Sequence, residues 1–277
     1  MRLRFERYSN LTQRIIAALV GVAVLIGGMI WSEWAYFAIF LFIALMSILE
    51  FYKLVGLDGM VPLKFWGSVC TITIFVITFL IEKQLLPTKW LFLIFPVVLG
   101  TFFIKLYKKN EKKPFTNIAF TLLGIVYIGV PFSMMHFLVY LEDSYNWRLL
   151  LAVLFITWAS DTGAYFAGSR YGRRALFARV SPKKSWEGSI GGTLLAIVFA
   201  LIFDHYFDFL ETWQWLCVAV IIVIAGTYGD LVESLFKRSI AIKDSGTSIP
   251  GHGGFLDRFD SLFISLPFVV TFLELVC

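Results

Sequence analysis

Apolar runs recur along the whole chain, each at or near the roughly 20 helical residues that a hydrocarbon core requires. They fall at residues 15–31, 34–49, 65–81, 90–106, 118–141, 149–168, 188–203, 213–228 and 261–277. Backbone inside a bilayer must satisfy its own polar groups, and consecutive runs of this length do so as helices. The chain is therefore expected to be all-α, a polytopic integral membrane protein of about nine transmembrane helices. Composition agrees, with 59% hydrophobic residues, 16% charged residues and a mean hydropathy of +0.80 over 277 residues. Soluble domains of this size are not so apolar. Only Ser32 and Glu33 separate the first two runs, which must form a tight helical hairpin.

Lys and Arg avoid translocated loops. With the N-terminus cytoplasmic, 21 of the 24 basic residues fall on the cytoplasmic side, leaving Lys83, Lys89 and Arg148 outside. The expected location is the cell membrane, with the motif segment facing the cytoplasm. Residues 1–14 interleave Arg with Leu, Phe and Tyr and read as a basic interfacial segment; no small-residue cleavage site follows the first apolar run. Residues 15–141 read as a transmembrane scaffold. Residues 149–277 read as a catalytic region with cytoplasmic loops at 168–187 and 229–260. The net charge of +5 follows topology, so no nucleic-acid partner is expected. The basic run from Lys105 to Lys113 reads as a loop beside anionic lipid headgroups. Cys70, Cys217 and Cys277 sit singly in apolar spans and suggest neither a disulfide framework nor a metal site.

Ionisable and glycine residues are densest between Ser234 and Asp260. Charge so close to membrane spans is costly unless it meets water, ions or a charged ligand. Asp230 and Glu233 are three apart and share a face if helical; Lys237 and Arg238 follow. Gly246, Pro250, Gly251, Gly253 and Gly254 then interrupt any helix and imply a loop whose backbone can approach a ligand. Asp257 and Asp260 recur at the same spacing at the start of the last span, where a helix N-terminus also favours phosphate. Carboxylates without His or Cys partners suit a hard cation such as Mg2+. The competing reading is a salt-bridge network with Arg258, Arg238 and Lys243. His252, between glycines, is open to a general-base, phosphate-donor or loop-ordering role.

A second constellation runs from Asp161 to Gly188. Asp161 lies late in an apolar span, and basic residues with Ser181-Pro182-Lys183-Lys184 follow, a set suited to polyphosphate. Gly188, Gly191 and Gly192 read as sites of close helix packing. Cations and clustered carboxylates at a membrane surface describe phosphoryl or nucleotidyl transfer, with one lipid and one soluble substrate.

The segment from Ser234 to Asp260 resembles the signature of the phosphatidate cytidylyltransferases, the CDP-diacylglycerol synthases. Ser234, Lys237, Arg238, Lys243, Asp244, Pro250, His252, Gly253, Gly254, Asp257, Arg258 and Asp260 fill its fixed positions. The stretch from Asp161 to Gly188 is similar to that family's second characteristic region, through Asp161, Gly163, Ala164, Tyr165, Gly168, Gly172, Ser181, Pro182, Lys184, Trp186, Glu187 and Gly188. The resemblance implies that CTP and phosphatidate give CDP-diacylglycerol and pyrophosphate for phospholipid synthesis. It implies Mg2+ at Asp230, Asp257 and Asp260, with a second, monovalent cation such as K+, and Lys237 in the catalytic set. Phosphate and substrate binding would fall to Arg238, Lys243, Asp244, His252, Arg258, Ser181, Lys184, Glu187 and Asp161. Membrane lipids are expected partners, and a homodimer stays open. Two rival readings are a CTP-dependent polyprenol kinase, which would release CDP, and an ion or anion transporter built around Asp161. The transporter predicts inverted halves, whereas the charged motifs are confined to the second half.

Overall fold

The computed structural model describes residues 10–242, 245–246 and 253–277, and within them the side chains of residue 16 and of residues 18 onward. Helix dominates, as the apolar runs require. In chain order come α1 (Asn10–Trp31), α2 (Glu33–Leu57), α3 (Lys64–Glu82), α4 (Ile94–Leu106), α5 (Pro114–Gly124), α6 (Val130–Val139), α7 (Arg148–Tyr171), α8 (Trp186–Tyr206), α9 (Thr212–Ser239) and α10 (Leu256–Val276). Among the described residues, eight helical stretches are long and apolar enough to cross a membrane, and Ala18–Trp31 of α1 is a shorter one. One of the eight joins α5 to α6 through a widened π turn at Ile125–Gly129. Pro131 has no N–H to offer the Tyr127 carbonyl, which favours such a turn. The hairpin between α1 and α2 is as tight as expected: Ser32 caps α2, its Oγ accepting the Ala35 N–H at 3.1 Å.

Two boundaries differ from expectation in ways that matter for the site. α9 does not end near residue 228 but continues to Ser239, so the expected loop 229–260 begins as helix. Its carboxylates and lysine have i, i+3 and i+7 spacing, which keeps them on one face. The loop before α8 contains a short antiparallel hairpin, β1 (Ala175–Phe177) with β2 (Ser181–Ser185), a small addition to an otherwise helical chain.

The two halves pack by different means. In the N-terminal half, aromatic rings fill the space between α2, α3 and α6. Phe75 and His136 stand 4.3 Å apart between centroids, and the buried Tyr36 hydroxyl meets His136 Nδ1 at 2.9 Å. In the C-terminal half, small residues let backbones meet. A Cβ on Gly163 of α7 would stand 2.6 Å from the Gly191 carbonyl oxygen of α8, and one on Gly229 of α9 would stand 2.7 Å from the Asp260 carbonyl oxygen of α10.

Candidate active site

The approach of α9 to α10 at Gly229 brings their acidic residues together. Asp230, Glu233 and Lys237 line one face of α9, and Asp257 and Asp260 occupy the start of α10. Lys237 lies between two carboxylates, with its Nζ 2.9 Å from Asp257 Oδ1 and 3.3 Å from Glu233 Oε2. Asp257 also accepts the backbone N–H groups of Ser245 and Gly254, both at 3.1 Å to Oδ2. The turn that aims Gly254 at this carboxylate uses Gly253 at φ 83°, a conformation that favours glycine. Glu233 is fully buried, and within hydrogen-bond reach of Asp260.

On the other side of Asp230 lies the second constellation. Lys184, from β2, places its Nζ 2.5 Å from Asp230 Oδ2, while Ser234 Oγ donates to Oδ1 at 3.2 Å. Between α7, α8 and α9 opens a polar cavity of about 450 Å3, lined by Asp161, Lys183, Lys184 and Asp230 among others. Asp161 is exposed to it and acts electrostatically on Asp230 and Asp260, so the two motif regions form one charged centre. Behind the first turn of α10, an apolar groove of about 630 Å3 runs between α1, α2, α7 and α10. Arg258 is the one charged residue on its wall among the described residues. A cation-bearing apolar groove and a polar cavity thus flank one acidic cluster.

A model of the cytidylyltransferase family matches residues 12–276. The chain belongs to this family. A protein of Staphylococcus epidermidis named phosphatidate cytidylyltransferase is 33% identical over 259 residues, covering 91% of this chain and 94% of that protein. Relatives of the same name align over shorter stretches: in Staphylococcus haemolyticus, 42% identity over 55% of this chain and 58% of the relative; in Haemophilus influenzae, 46% over 47% of each. The protein is accordingly an integral membrane nucleotidyltransferase.

Other expected site residues stand elsewhere. Glu187 accepts the backbone N–H groups of Arg173 and Arg174 at 3.0 and 3.2 Å, which ties the entry of the β-hairpin to α8. Arg238 is exposed and donates to the Ile242 carbonyl at 3.2 Å, closing the end of α9. Ser181 opens β2, half-buried. Lys243, Asp244 and His252 lie outside the described residues. Among the described residues no three His, Cys, Asp or Glu side chains stand in metal-ligand arrangement, since Asp230 turns to Lys184 and Asp257 to Lys237. The donor chemistry nevertheless fits a hard cation. Every donor is a carboxylate oxygen, and buried Glu233, whose Oε2 has the Lys237 ammonium 3.3 Å away, adds a further one beside them. Sequence reasoning noted Glu233 on the Asp230 face without giving it a role. It passed over Glu50 of α2, buried against the start of α10, whose signal was an acidic residue directly after an apolar run.

Proposed function

We propose that this protein transfers the cytidylyl group of CTP to phosphatidate, forming CDP-diacylglycerol and pyrophosphate at the cytoplasmic face of the cell membrane. One observation carries this reading: the acidic centre of α9 and α10 is interlaced with Lys184 and Lys237 and lies between a polar cavity and an apolar groove. The cavity suits a nucleotide triphosphate, with Lys183 and Lys184 near its phosphates. The groove suits an acyl chain, with Arg258 at the headgroup. The N-inside orientation, which keeps most basic residues cytoplasmic, gives CTP access from the cytoplasm and the lipid access from the bilayer.

The chemistry asks little of a base. A phosphatidate oxygen, already ionised at neutral pH, attacks the α-phosphorus of CTP; the bond from that phosphorus to the α–β bridging oxygen breaks, and pyrophosphate leaves with the electron pair. The barrier comes from repulsion between anions, which fixed cations and a dry, positioned site reduce. Lys237 is oriented by Asp257 and Glu233, so its charge is held in place before substrate arrives. Asp230, Asp257 and Asp260, with Glu233 beside them, would hold Mg2+, which supplies neutralisation of phosphate charge.

The test is purified protein in detergent with phosphatidate, Mg2+ and cytidine-labelled CTP. Label entering the lipid phase with equal release of pyrophosphate is expected. Phosphorylated lipid with release of CDP would instead establish a kinase.

A further inference from the structure

One side chain of the N-terminal half reaches the start of the catalytic helix. Glu50 lies near the end of α2 and is 8% exposed. Its Oε2 accepts the Leu256 backbone N–H at 3.0 Å, a buried bond spanning 206 residues of sequence. Leu256 is the first residue of α10, and Phe255 before it offers no side-chain cap. The first N–H groups of a helix lack partners within it and attract an anion. Glu50 thus does from another helix what a capping side chain does locally. The fit is close: a Cβ on Gly254 would stand 3.0 Å from Glu50 Cδ. The Gly254 N–H itself donates to Asp257 Oδ2 at 3.1 Å. The residues just before α10 are therefore held between a carboxylate of α2 and a carboxylate of the site. Phe51, next in sequence to Glu50, stacks on Phe236 of α9 at 5.1 Å and 29°. By these two contacts α2 touches both helices that carry the acidic centre.

We propose that Glu50 is a positioning residue for cytidylyl transfer, anchoring the first turn of α10 so that Asp257 and Asp260 stay in register with α9. This rests on the function proposed above. Glu50 touches no reacting atom; it acts through the backbone of Leu256. Transfer is sensitive to such placement, since a misplacement of about 1 Å can cost about 100-fold in rate.

The experiment compares wild type, Glu50→Ala and Glu50→Gln in one detergent, measuring transfer of cytidine label, hydrogen exchange across residues 253–260, and the thermal midpoint. Gln keeps an acceptor oxygen at the same reach. Glu50→Ala is expected to lower kcat about 10- to 100-fold with KM for CTP within about twofold, and to speed exchange at residues 254–258. Glu50→Gln is expected to recover most of both. Should Glu50→Ala not fold, Glu50→Asp, one methylene short of reach, decides by the same readouts. Wild-type kcat and wild-type exchange in the shortened variant would overturn the proposal. So would a loss of activity that follows the thermal midpoint alike in Gln and Ala while local exchange stays unchanged. If wild type itself transfers no label, the proposed function fails, and the exchange measurement alone then decides the Glu50 contact.

Discussion

Between α2, α3 and α6 the chain is held by side-chain volume; between α7 and α8, and between α9 and α10, it is held by the lack of it. Phe75, Phe79, Tyr36 and His136 interlock as rings, with the one polar pair among them satisfied within the cluster. Gly163, Gly191 and Gly229 remove side chains so that backbones approach, and carboxylates and lysines gather at one end of the resulting contact. Ring packing resists deformation but leaves no room for a charged ligand. Backbone packing brings functional groups from separate helices within bonding distance, at the cost of tolerating almost no change at the contact. Damage to the first region should therefore appear as lost stability, and damage to the second as lost turnover.

The largest effect is expected for Asp257→Asn and Asp260→Asn, each lowering turnover by about 1,000-fold or more while the protein remains folded and membrane-inserted. Near-normal activity in either variant would remove that carboxylate from the site. Gly163→Leu should come next, because its side chain would overlap the Gly191 backbone. Overpacking of about 1–3 kcal/mol is expected, read as a lower thermal midpoint together with lost activity. Lys237→Ala should reduce kcat/KM for CTP about 10- to 100-fold, the equivalent of about 1.5–3 kcal/mol for a charged hydrogen bond. An unchanged CTP dependence would make this lysine structural.

Smaller effects belong to the other region. Tyr36→Phe deletes the bond to His136 and should cost about 1 kcal/mol of stability without altering kcat/KM. A changed kcat/KM with an unchanged midpoint would break the division between the halves. Smallest in its effect on turnover is Glu111, in the loop after α4, which pairs with buried Lys105 and with Asn117. Burial raises the pKa of its carboxyl, but the bonds from Lys105 and Asn117 outweigh this and hold it below the ordinary value. A carboxyl with a depressed folded pKa contributes stability above its unfolded pKa and loses it as pH falls through the folded one. Glu111→Gln should therefore flatten the acid limb of a thermal-midpoint against pH curve and, because buried Lys105 loses its counter-ion, lower the midpoint at neutral pH while leaving kcat/KM unchanged.

Much of this organisation is legible in the sequence because a bilayer admits few structures. The apolar runs mark the helices, and the charge clusters mark the groups that the fold gathers around α9 and α10. The end of α9 was less legible: Gly229 and Asp230 look like the end of a span, yet the helix runs on because Glu233 and Lys237 find partners within the protein. The β-hairpin was hidden because polar, basic residues carry no strand periodicity. Glu50 was hidden for a different reason. Its partner is a backbone N–H 206 residues away, and no local pattern encodes that meeting.

The carboxylates gathered between α9 and α10 are proposed to run the transfer through a bound divalent cation. The most direct measurement follows entry of α-phosphorus label from CTP into lipid as wild type and Asp260→Asn are titrated with Mg2+. Saturable activation is expected in wild type, and a flat, near-zero response in the variant. An Asp260→Asn curve that overlays wild type would contradict it.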